Sequence, residues 1–87
     1  MNFRHLPETI AYVRITQQSF PLGKIEGEVQ AAEYQWQFQW HFCQKQLLVR
    51  PSLGKALIKE PLERFLERSD YQLEAGSDYT FTVRSKI

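Results

Sequence analysis

Between Tyr34 and Phe42 every even position carries an aromatic ring (Tyr34, Trp36, Phe38, Trp40, Phe42) and every odd one is polar (Gln35, Gln37, Gln39, His41). A period of two held over that length puts all the rings on one side of an extended strand, and no helix can present the pattern on one face. At roughly 150 to 250 Å² of buried surface per ring, the stripe amounts to about 750 to 1,250 Å². Exposed apolar patches larger than a few hundred Å² are uncommon on soluble monomers, so most of this stripe must be core. The stripe also accounts for much of an aromatic content of 14% in 87 residues.

The rest of the composition narrows the field. Eleven basic residues against ten acidic give a net charge of +1, which argues against a polyanion binder that works by bulk electrostatics. A hydrophobic fraction of 43% separates the chain from disordered sequences. No apolar run approaches the ~20 residues of a membrane helix, and Met1 to Pro7 has no signal-peptide core, so the expectation is a cytoplasmic protein without a membrane span. Cys43 stands alone, which rules out an internal disulfide and a multi-cysteine metal cluster. The length suits a single domain over residues 1–87, with 1–8 as a loose arm.

Along the chain, Thr9 to Ser19 reads as a half-buried strand, with Ala11, Val13 and Ile15 opposed to Ile10, Tyr12, Arg14 and Thr16. Phe20-Pro21-Leu22-Gly23 supplies a reversal, and Lys24 to Ala31 returns with Ile25, Gly27, Val29 and Ala31 on one face, making a hairpin. The apolar set switches from odd to even numbers across Ala31-Ala32-Glu33. A β-bulge in one long bent strand and a tight turn between two strands both absorb the switch, and the lack of Gly, Pro, Asn or Asp there tips our reading to the bulge. A turn at Cys43 to Gln46 leads to a strand at Leu47 to Arg50. Residues 52–69 are helical, with Ser52 as N-cap and the apolar sets Leu53, Ala56, Leu57 and Leu62, Phe65, Leu66. Pro61 makes this two short helices or one kinked at Glu60. Tyr71 to Leu73 is a candidate short strand, Glu74 to Asp78 a turn, and Tyr79 to Arg84 the last strand. The expected fold is therefore α+β: an antiparallel sheet of four to six strands, order ββββα(β)β, with one broken or kinked helix packed on the aromatic face.

A strand of this length spans about 30 Å, and five strands at ~4.8 Å make a sheet some 20 Å across. A helix only about 10 Å wide cannot cover such a face. Apolar sheet surface should therefore be left near Tyr34 or Phe42 for a partner chain, a ligand, or the arm with Phe3 and Leu6. Together with the outward Gln35, Gln37, Gln39 and His41, these residues form the candidate interaction surface.

The chemistry-bearing residues do not assemble into a catalytic set. His41 and Cys43 supply two of the three or four ligands that zinc needs, and His5, in the arm, is a distant third. A nucleophilic cysteine needs a general base that the spacing does not provide. Glu26 and Glu28 share a strand face about 7 Å apart, where solubility explains them. Gly23, Gly27, Gly54 and Gly76 are scattered singly and make no phosphate loop. No enzyme activity, cofactor or metal is expected. Basic residues from Arg50 to Lys86 alternate with Glu60, Glu63, Glu67 and Asp78, a weak footprint for single-stranded nucleic acid.

Three stretches, Tyr34–Phe42, Pro51–Leu66 and Asp78–Ile87, together resemble a family of small cyanobacterial proteins known as a domain of unknown function. The resemblance spans nearly the whole chain from Leu6 onward and implies a small cytosolic protein of a photosynthetic bacterium. It brings no catalytic or binding residue with it. The sequence names no function; the reading it supports is a non-enzymatic accessory or assembly module acting through uncovered sheet surface, with another protein or a second copy as partner. The alternatives are single-stranded nucleic-acid binding and a small hydrophobic ligand held under the helix near Trp36 and Trp40.

Overall fold

The computed structural model of the chain describes residues 8–69 and 72–84. Strands β1 (Glu8–Ser19), β2 (Lys24–Ala31), β3 (Tyr34–His41) and β4 (Gln46–Arg50) are followed by helix α1 (Lys55–Ser69) and strand β5 (Asp78–Arg84). The strands form one antiparallel sheet in the order β4-β3-β2-β1-β5. This is the α+β architecture the alternation predicts, with the last strand returning beside the first. The arm reading for residues 1–7 lies outside the described residues, and Glu8 already belongs to β1. Tyr71 also lies outside them, and Gln72 and Leu73 form no strand.

The parity switch at residues 31–33 is a turn and not a bulge. Ala31 pairs with Tyr34, leaving Ala32 and Glu33 as a two-residue hairpin loop, and Ala32 takes a φ of 55°. A left-handed conformation costs a non-glycine residue roughly 1–2 kcal/mol. The ladder from Ala31↔Tyr34 to Lys24↔His41 offsets that cost, because its register keeps the apolar sets of β2 and β3 on one face. A bulge does occur, but in β1, where the register shifts between Ile15 and Gln17.

Helix α1 begins at Lys55, two residues later than the Ser52 cap implies. The Lys55 N–H donates to the Ser52 carbonyl at 3.1 Å, and Gly54 turns the chain at a φ of +72°. Leu53 lies before the helix and is exposed, as is Ala56, and the core row is Ile58, Leu62 and Leu66, flanked by Leu57 and Phe65. One helix runs through Pro61, so the two-helix reading falls. Burial on both sides of the proline, Ile58 before it and Leu62 after, holds the halves together despite the missing backbone donor. The outer face carries an Arg64–Glu60 pair at 3.4 Å.

The helix lies against the two edge strands, β4 and β5. Between it and the sheet, Trp36, Phe38 and Trp40 are fully buried with Val13, Ile15, Ile25 and Val29. Two local packings close the ends of the aromatic stripe. Tyr34 stacks on Trp36 at 5.5 Å and lies over Gly54, while Phe42 meets Phe20 at 5.9 Å. Trp36 Nε1 donates to the Leu53 carbonyl at 2.9 Å, tying the turn before α1 to the stripe. Tyr34 keeps 37% of its surface exposed.

Candidate interaction surface

The strand period that buries one face of the sheet turns the other outward, and among the described residues no element covers it. Register places its side chains in rows across the strands. One row runs Thr80, Tyr12, Gln30, Gln35; the next runs Asp78, Arg14, Glu28, Gln37, Arg50; a third runs Gln17, Glu26, Gln39, Leu48. Charges alternate along the second row, so neighbouring side chains attract across the ladder. Arg14 grips Asp78 in a fork, Nε to Oδ1 at 2.8 Å and a terminal nitrogen to Oδ2 at 3.3 Å. That hydrogen bond, aided by the charge, holds the Asp78 carboxyl below its ordinary range and raises the Arg14 guanidinium above its own. In the third row Glu26 accepts from Gln39 Nε2 at 3.2 Å and from Lys24 Nζ at 3.0 Å through the same oxygen.

Two grooves indent this face. The larger, about 530 Å³, is walled by Tyr12, Arg14, Glu28, Gln30, Gln35 and Asp78. Tyr12 is 58% exposed and Ile10, two residues before it on the same strand face, is 52% exposed. The smaller groove, about 180 Å³, lies beside Glu26, Gln37, Gln39, Leu48 and Arg50. An exposed ring set among amide, carboxylate and guanidinium groups can stack and hydrogen-bond a partner without any reaction.

The structure divides the residues singled out from the sequence. Gln35, Gln37, Gln39 and His41 stand together on the open face of β3, whereas Tyr34 and Phe42 belong to the helix-covered side, at opposite ends of the stripe. Sequence reading missed Tyr12, Ile10 and the Arg14–Asp78 fork. The signal was present, since Ile10, Tyr12 and Arg14 alternate with the apolar Ala11 and Val13 on one strand, but only the pairing with β5 brings Asp78 alongside. His41 is half-buried and Cys43 exposed. Among the described residues no three His, Cys, Asp or Glu side chains cluster in a way that could hold a metal, and no helix is long and apolar enough to cross a membrane. Trp36 and Trp40 wall neither groove.

Residues 7–86 match the family described as Protein of unknown function (DUF3146). No curated protein and no solved structure matches the chain.

Proposed function

We propose that this chain, which belongs to the DUF3146 family, is a non-enzymatic accessory or assembly module that binds another protein through the open face of its sheet. One observation carries the reading: a five-stranded face with no covering element among the described residues presents Tyr12 in a groove walled by Gln30, Gln35, Glu28 and the Arg14–Asp78 pair. Aromatic residues flanked by hydrogen-bonding groups are the usual anchors of protein interfaces. The even mix of charge on the face suits a protein partner better than a polyanion, and a cytosolic setting in a photosynthetic bacterium is what the resemblance to a small cyanobacterial family implies.

The test is a pull-down from the source cell at low and high salt, using the wild-type chain and the double variant Tyr12→Ala/Gln35→Ala. A protein retained by the wild type at both salt levels and lost by the variant supports the reading. Capture that is indifferent to the variant, or a salt-sensitive shift of oligonucleotides in place of protein capture, overturns it.

A further inference from the structure

A third groove lies beside β4, at the edge of the sheet among the described residues, and shares Leu48 and Arg50 with the smaller open-face groove. Its volume is about 420 Å³; one wall is the continuous segment Lys45 to Arg50, which contains the whole of β4, and the other is Lys55, Lys59 and Glu63 of α1. Two features of this cleft are independent of each other. The first is backbone. Among the described residues β4 pairs only with β3, so the N–H and C=O groups that alternate away from β3 have no ladder partner there and no backbone hydrogen bond joins β4 to the helix. The second is charge. Lys55, Lys59 and Glu63 recur at intervals of four, which sets them in one line along the helix facing the strand. With Lys45 they make three cationic side chains against one anionic, and Arg50 borders the cleft from the open face, in a protein whose net charge is only +1. None of the five joins an ion pair among the described residues.

We infer that this cleft is a docking site for an extended acidic peptide segment that adds a sixth strand beside β4. An added strand would use the edge's own hydrogen-bonding groups for affinity and its alternate side chains for selectivity. The side chains it turns toward the helix meet Lys55 and Lys59 and are acidic. Those it turns to the other face run beside Leu48, which is 43% exposed on the open side of β4, and Arg50, and an aliphatic residue packs on Leu48. Alternating acidic and aliphatic residues are therefore the recognised pattern. No aromatic ring lines the cleft, so it lacks the stacking platform that single-stranded nucleic acid requires. This inference goes beyond the open-face reading and uses none of the residues of the Tyr12 groove, although Leu48 and Arg50 border both this cleft and the smaller open-face groove.

The experiment titrates the full chain against a fluorescein-labelled peptide alternating Glu and Val, followed by anisotropy and by hydrogen exchange of the β4 amides. A peptide alternating Glu and Pro carries the same charge but cannot pair as a strand. The expected result is binding of the Glu-Val peptide with slowed β4 exchange and little binding of the Glu-Pro peptide. The variant Lys55→Glu/Lys59→Glu should weaken binding by about tenfold, the scale of two partly exposed charge contacts. Tyr12→Ala should leave peptide binding unchanged, which separates this site from the open face. Equal binding of the two peptides, tighter binding of an oligo-dT strand, or loss in the lysine variant of a dimer formed by the wild type would each overturn the inference.

Discussion

The two faces of the sheet are built from the same strands with the same period, yet they have opposite physical roles. On one face Val13, Val29 and Trp36 sit side by side under the helix, and no polar residue is buried among them. One position along, Arg14, Glu28 and Gln37 line up in water. The covered face supplies stability through apolar burial, whose energy scales with area. The open face contributes little to stability, because its charged pairs are screened and solvated. Alternation thus identifies both faces, the apolar set marks the one that is buried, and the packing of α1 covers that face and leaves the other open.

Substitutions on the covered face should have the largest effects. Trp36→Ala removes a fully buried ring and leaves the Leu53 carbonyl without its donor, and we expect a loss of about 3–5 kcal/mol in urea unfolding. An unfolding midpoint close to wild type would mean that the stripe is not core. Gly27→Ala comes next. A Cβ there would meet the Arg14 carbonyl and the Phe38 ring carbons at 2.9 Å, so either the ladder or the ring must move, at about 1–3 kcal/mol. Gly54→Ala should cost about 1–2 kcal/mol, since the residue sits at a φ of +72° and its Cβ would approach the Tyr34 ring at 3.0 Å. Near-UV circular dichroism should register this change through the Tyr34–Trp36 stack.

These sites also show how far the sequence could be read. The period-two stripe disclosed β3 and its buried side, because alternation depends only on local geometry. At residues 31–33 the sequence allows a turn and a bulge alike and tips to the bulge, because a two-residue loop is usually signalled by Gly or Asn, and here an alanine is forced to positive φ by the ladders on both sides. The start of α1 escaped for a related reason: Ser52 is a good cap by type, but the Trp36–Leu53 hydrogen bond, a long-range contact, sets where the helix begins. The fork of Arg14 with Asp78 and the cleft beside β4 both depend on which elements become neighbours. Lys55, Lys59 and Glu63 are visible as a spacing of four, and nothing local says that a free strand edge lies opposite.

On the open face the expected effects are small. Asp78 is held below its ordinary value of 3.8 by Arg14. Its pairing therefore stabilises the fold fully above the unfolded carboxylate range and loses that contribution as pH falls through the lowered folded value. Asp78→Asn should leave stability near neutral pH almost unchanged and flatten the acid limb of the stability curve below about pH 4, as read by unfolding at several pH values. A large loss at pH 7 would show that the open face bears on folding after all.

The separation of the two roles is tested most directly by one pair of measurements on Tyr12→Ala: its thermal midpoint and its capture of the partner protein. Surface substitutions usually change stability by no more than about 0.5 kcal/mol, or roughly 2–4 °C in a domain of this size. The account predicts a midpoint within that margin and capture lost. A midpoint lowered well beyond it with capture intact would contradict the account, because Tyr12 would then belong to the fold and not to recognition.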